Sequence, residues 1–159
     1  MLEGQRIGVV VPAYHEERLI GRTLRGIPAF VDHVIVVDDA SGDETSRAAL
    51  AVGDPRVEVV RHDRNRGVGA AIATGYARAF ERGVDVAVVM AGDAQMDPDD
   101  LPRLIAPVVA GRAGYAKGNR LAWPEARARM PLTRWLGNVV LSALTRLATG
   151  AKIEDSQCG

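Results

Sequence analysis

Cysteine is almost missing from this chain. The single Cys158 cannot close an intramolecular disulfide or build a cysteine-rich zinc site. An excess of charge is missing as well: 20 Lys+Arg stand against 20 Asp+Glu, which argues against a global electrostatic grip on nucleic acid. No apolar run approaches the roughly 18 residues that a membrane-spanning helix needs. The opening residues Met1 to Arg6 lack the basic start and apolar stretch of a secretory signal, so the chain reads as cytoplasmic. Nor is there an internal repeat, a low-complexity tract or a long linker. What remains is 159 residues, 47% hydrophobic and 25% charged, the balance of one ordinary globular domain with a sizeable core.

The neutral total conceals an uneven distribution. Residues 1–111 carry 12 basic and 17 acidic side chains, whereas residues 112–153 carry 8 and 1. The second stretch is either a solvated helix face or an anion-handling surface.

Strand and helix patterns alternate along the chain. The continuous apolar run Ile7–Val11 reads as a strand covered on both faces, Val34–Val37 as a second buried strand, and Val57–Val60 and Val84–Met90 as a third and a fourth strand. Between and after them, helical spacing appears over about 16–25, 43–52, 69–82 and 98–110, with Gly83 as a C-terminal cap. Beyond Gly111 the pattern predicts a short strand near Tyr115, a stretch broken at Pro124 and Pro131, and a helix from Trp135 to Ala148. The fold class is α/β, a mainly parallel, Rossmann-like sheet with helices on both faces. Ligands of such sheets bind outside the carboxyl ends of the strands, so chemistry is sought there.

The first strand runs into Pro12-Ala13-Tyr14-His15-Glu16-Glu17, without the G-x-G-x-x-G of a dinucleotide site. The second ends in Asp38-Asp39-Ala40-Ser41-Gly42-Asp43-Glu44-Thr45. Ser41 with Glu44 matches a capping box and needs no functional explanation. Asp38 and Asp39 precede it; adjacent acids repel and call for donors, such as those of a nucleobase or ribose, or for a cation. After the third strand, Asn65-Arg66-Gly67-Val68-Gly69 forms a glycine-rich turn at a helix start, suited either to an anion or to close helix–sheet approach.

The fourth strand delivers Ala91-Gly92-Asp93-Ala94-Gln95-Met96-Asp97-Pro98-Asp99-Asp100. Asp97 reads as an N-cap, Pro98 as the first helical residue, and Asp99 and Asp100 as acids complementing the helix dipole. Asp93 lies before the cap. With Gln95 it offers an oxygen pair suited to a hard divalent ion, Mg²⁺ or Mn²⁺, that also holds substrate phosphates.

Taken in order, these blocks, with Lys117-Gly118-Asn119-Arg120 and Asp155-Ser156-Gln157-Cys158-Gly159, resemble the family-2 glycosyltransferases of the GT-A fold. Within that family the chain is similar to the polyprenyl-phosphate (dolichyl-phosphate) sugar transferases. The resemblance implies a nucleotide-diphosphate-sugar donor, UDP- or GDP-linked, at the strand ends. Pro12, Tyr14 and Glu16 would line the nucleoside pocket and Asp39 would read base or ribose, with Asp38, Asn65, Gly67 and Gly69 as further binding positions. Asp93 and Gln95 would hold the metal, and Arg120 would face the phosphates or the acceptor, making Asp93 and Arg120 the catalytic pair. The implied partners are the donor and a lipid-phosphate acceptor, with peripheral contact between residues 112–152 and the cytoplasmic face of a membrane.

Two positions depart from the family pattern: Ala91 stands where an aspartate is usual, and His15 where an asparagine commonly follows the tyrosine. The whole chain, 1–159, is expected to form one nucleotide-sugar-binding domain, short on its acceptor side. Two other readings are a non-catalytic nucleotide-sugar-binding module, suggested by Ala91, and a sugar-phosphate nucleotidyltransferase. The latter calls for a basic, glycine-rich loop after the first strand, which Pro12-Ala13-Tyr14-His15 is not.

Overall fold

Four apolar strands pair in parallel because each is followed by a helix that returns the chain to the same edge of the sheet. They are β1 (Ile7–Ala13), β2 (His33–Asp38), β3 (Val57–Arg61) and β4 (Val86–Val89), in the order β3-β2-β1-β4. The structure, a computed structural model, describes residues 1–118 and 132–150. By contact the chain divides into two compact units, Met1–Gly114 and Tyr115–Gly159.

In the first unit, alternation along the strands feeds two separate cores. Val9, Val11, Val34 and Val36 face α1 (Ile20–Gly26), α2 (Thr45–Leu50) and α4 (Leu101–Val109), where they pack with Ile20, Leu24, Ala49 and Ile105. Ile35 and Val37 face the other way, toward Ala71 and Ala79 of α3 (Val68–Glu81). Helices therefore cover both faces, as the sequence pattern predicts.

The approach of α3 to the sheet depends on Gly75. A Cβ built there would lie 2.1 Å from Val10 Cγ1. The same helix ends as expected: Gly83 takes φ +68°, its N–H bonds Phe80 O at 3.0 Å, and Val84 N–H bonds Ala79 O at 3.0 Å. That pair of bonds is a Schellman motif. At the start of α4, Asp97 Oδ1 accepts the Asp99 N–H at 3.0 Å, with Pro98 opening a 3-10 turn over Pro98–Asp100.

Two local expectations fail. Residues 115–118 form no strand. Ser41 and Glu44 form no capping box, because α2 begins only at Thr45. Instead, Asp43 Oδ1 accepts the Thr45 N–H at 3.1 Å and the Thr45 hydroxyl at 2.5 Å. Ser41 is thereby released for a different contact, described below.

The second unit's described helix, α5 (Leu132–Thr149), contains no acidic residue and exposes Leu136, Val140, Leu144 and Leu147. No helix among the described residues is long and apolar enough to cross a membrane.

Gly75→Ala is expected to destabilise the protein by about 1–3 kcal/mol through overpacking against Val10. A denaturant midpoint unchanged from wild type would show that α3 can shift off the sheet without cost.

Candidate active site at the carboxyl edge of the sheet

The four strand ends are stitched into one rim by backbone hydrogen bonds that continue past the strands. Asp39 N–H bonds Ala13 O at 2.9 Å, His62 N–H bonds Asp38 O at 2.9 Å, and Gly92 N–H bonds Pro12 O at 3.3 Å. The rim thus brings Pro12, Tyr14, Glu16, Asp39, Asn65, Gly67 and Asp93 to one edge of the sheet, where the sequence placed them.

Asp38 and Asp39 escape mutual repulsion because consecutive strand residues point to opposite faces. Asp38 turns toward α2. It accepts the Ser41 N–H at 2.8 Å, the Ser46 hydroxyl, and Arg61 Nη1 at 3.1 Å. Burial alone would raise its pKa, but these donors outweigh it and hold the carboxyl below the ordinary carboxylate value. With 0% exposure it has no surface to offer a ligand. This corrects the expected binding role: Asp38 is structural.

Asp39 turns toward α3. Its Oδ1 pairs with His62 Nδ1 at 2.6 Å and accepts the Arg66 N–H at 2.9 Å, and its Oδ2 accepts the Gly67 N–H at 2.7 Å. Here too burial pushes the pKa up, and the bonds from His62, Arg66 and Gly67 more than reverse the push. His62 Nε2 in turn meets Thr74 Oγ1 at 3.0 Å, tying the pair to α3.

Of the two readings of the glycine-rich turn, an anion or close helix–sheet approach, the structure supplies an internal anion, Asp39. Gly67, at φ +88°, caps α3 and aims its N–H at that carboxylate; Asn65 Oδ1 shares the same N–H at 3.1 Å. Gly69, in the first turn of α3, has open space around its Cα. The turn is a clamp on β2.

Sequence reasoning missed His62 and Arg61. The signal was available, since both sit at the carboxyl end of β3, the edge already searched on the other strands.

Toward the front of the rim, Tyr14 is half exposed and stacks on His15, the ring centroids 4.2 Å apart and the planes 16° from parallel. Glu16 follows, half-buried, its N–H bonded to Thr45 Oγ1 at 2.8 Å. Burial first, then the neighbouring charges of Asp93 and Asp43, push the Glu16 carboxyl up. Glu16, Asp43 and Asp93 thus share a corner rich in negative charge. Asp93 is half-buried, and its Oδ1 accepts the Gln95 N–H at 3.1 Å across a turn in which Ala94 takes φ +56°. Gln95 is exposed.

Among the described residues, no three His, Cys, Asp or Glu side chains are grouped to enclose an ion. Asp93 and Gln95 fit part of an all-oxygen shell, of the kind that a hard cation completes with water and substrate oxygens. Arg120 lies outside the described residues.

Comparison with known proteins places this architecture. Residues 8–155 match the family model of Glycosyl transferase family 2, and the chain belongs to that family. It is 33% identical to the UDP-N-acetylglucosamine–dolichyl-phosphate N-acetylglucosaminyltransferase of Methanococcus voltae, covering 96% of this chain and 67% of that protein. It is also 33% identical to the polyprenol monophosphomannose synthase of Mycolicibacterium smegmatis, covering 98% and 60% respectively. Among solved structures, glucosyl-3-phosphoglycerate synthase from Mycobacterium tuberculosis, in complex with Mn²⁺ and UDP-glucose, superposes with a TM-score of 0.56 at 28% identity. That alignment covers 68% of this chain and 40% of the other. The sheet is that of a GT-A glycosyltransferase. The chain spans about 60–67% of the length of these two sequence relatives.

Asp39→Asn is expected to cost about 2–3 kcal/mol at neutral pH, since an amide cannot accept from all three buried donors. The sign of the pH dependence follows from the lowered pKa. The carboxylate's contribution is fully present above the unfolded value near 3.8 and is lost as pH falls through the lower folded value. The stability gap between wild type and Asp39→Asn should therefore close on acidification. A gap independent of pH, measured by urea denaturation, would show that the charge of Asp39 is not what holds the clamp.

Proposed function

We propose that this chain carries the donor-binding site of a glycosyltransferase that moves a sugar from a nucleotide diphosphate to a polyprenyl-phosphate acceptor, assisted by Mg²⁺ or Mn²⁺. The observation that carries the reading is the placement of Tyr14, Glu16 and Asp93 on one rim, in a chain belonging to a glycosyltransferase family. The names of the sequence relatives support the lipid-phosphate acceptor, and the Mn²⁺ and UDP-glucose of the structural neighbour support the metal and the donor class.

In the reaction, an acceptor phosphate oxygen forms a bond to the anomeric carbon. The bond from that carbon to the donor's diphosphate oxygen breaks, and its electron pair leaves with the diphosphate. A phosphate acceptor is already anionic near neutral pH, so no strong general base is needed. Pro12, Tyr14 and Glu16 line the nucleoside side. Asp39 acts through the clamp, fixing Arg66 and Gly67 beside it. Asp93 and Gln95 would hold the cation, which would supply positive charge against the departing diphosphate. The family resemblance assigns Arg120 to the same phosphates or to the acceptor. Ala91 leaves Asp93 as the one carboxylate of its motif, so this chain would supply only part of a cation's oxygen shell and the donor the rest.

Calorimetry should accordingly show little Mn²⁺ binding by the protein alone and clear binding with UDP or GDP present. Asp93→Asn should abolish the nucleotide-dependent part, whereas Asp97→Asn, which keeps a capping oxygen, should leave Mn²⁺ binding intact at little cost in stability. Undiminished Mn²⁺ binding in Asp93→Asn would remove the site.

The basic stretch after Gly111 and the exposed leucines of α5 support peripheral contact with an anionic membrane surface. Co-sedimentation with anionic vesicles should be measurable at low salt and should fade as the Debye length falls below about 10 Å. If low-salt binding is no stronger to anionic than to neutral vesicles, the electrostatic part of this contact is wrong.

A further inference from the structure

His15 occupies a backbone conformation that few residues choose, φ +59°, and its side chain makes a bond that only one protonation state allows. Its Nε2 accepts the Gly42 N–H at 2.9 Å. An acceptor nitrogen carries a lone pair, so the ring is neutral with its proton on Nδ1. Its own N–H bonds Ser41 Oγ at 3.0 Å, the contact for which Ser41 gives up the helix cap. The loop after β1 is thus stapled twice to the loop after β2, and the flat face of the staple supports the Tyr14 ring.

We propose that His15 is a positioning residue for donor binding. The neutral imidazole, held by Gly42, fixes the Tyr14 ring as the platform for the donor's base, and protonation at Nε2 breaks the staple and loosens the platform. The inference rests on the reading of Tyr14 as part of the nucleoside pocket. When Nε2 gains a proton, it meets the Gly42 N–H donor to donor, and that hydrogen bond is lost. Mild acidification is the perturbation that adds this proton to an imidazole.

Other ionisable groups surround the staple. Asp43 of the β2–α2 loop interacts electrostatically with His15, and Glu16 and Glu17 follow it in its own loop. Arg61 reaches across from β3 to Ser41 O at 2.6 Å. Asp93, from beyond β4, acts on Glu16, and His62 lies beneath Asp39. All of these persist when only His15 is exchanged, so a comparison with a non-titrating substitute isolates its contribution.

The substitute is His15→Asn, because asparagine tolerates positive φ and offers a carbonyl acceptor to the Gly42 N–H without titrating. UDP and GDP binding, with saturating Mg²⁺, is measured for both proteins at about pH 8 and about pH 5.5. Wild type should lose about three- to tenfold more affinity than His15→Asn over this interval, the range expected for one hydrogen bond. In parallel, the Gly42 amide resonance of nucleotide-free wild type should titrate together with the His15 ring.

Equal pH dependence of nucleotide binding in the two proteins overturns the proposal while leaving the donor-pocket reading intact. A Gly42 amide insensitive to pH overturns it as well, without any nucleotide. Failure of wild type to bind UDP or GDP at any pH overturns the donor-pocket reading and the proposal with it, and failure of His15→Asn alone overturns the proposal, because the carbonyl acceptor then does not replace the staple.

Discussion

Two adjacent carboxylates at the end of β2 organise the carboxyl edge of this protein. Asp38 gathers the Ser41 N–H, the Ser46 hydroxyl and Arg61 on one face of the sheet. Asp39 gathers His62, Arg66 and Gly67 on the other. Each is buried and remains ionised because its donors outweigh the cost of leaving water. Together they anchor the segments that begin α2 and α3 to a single strand end.

That anchoring decides what the loops can do. With Ser41 fixed by Asp38, its hydroxyl faces the β1 loop and receives the His15 N–H. With Gly67 drawn onto Asp39, the N-terminus of α3 is occupied by an internal anion. The glycine turn therefore shapes the rim, while Tyr14, Glu16 and Asp93 remain at its open side. Among the described residues no Lys or Arg ion pair reaches the negative corner formed by Glu16, Asp43 and Asp93, whereas Arg61 pairs with Asp38.

Much of this was legible in the chain. The alternation of apolar runs and helical spacing led to a parallel sheet, and the parallel sheet led to the strand ends as the place to search. Asp97 with Pro98, and Gly83 after α3, behaved as local rules require, because a cap is an interaction among residues a few positions apart. The capping box did not. Ser41 satisfies that motif within its own segment, yet a partner 26 residues upstream takes its hydroxyl, and Asp43 caps the first turn in its place. The glycine turn shows the same limit. An anion at a helix start was foreseeable, but that the anion would be a side chain 28 residues upstream was not.

The sequence by itself determined the strand–helix order, the two-sided burial of the strands, and the rim on which Tyr14, Glu16 and Asp93 meet. These follow from hydrophobic periodicity and from the handedness of parallel connections, which are properties of short segments. Period-two geometry sends Asp38 and Asp39 to opposite faces, which the reading of them as mutually repelling neighbours overlooked. Only the tertiary structure decided that Arg61 would reach Asp38, that His62 and Gly67 would meet Asp39, and that His15 would accept from Gly42. Those pairings join residues 23 to 28 positions apart in the chain. Hydrogen bonds need their atoms within about 3 Å, and only the packed sheet, with its strands in register, brings such distant residues that close.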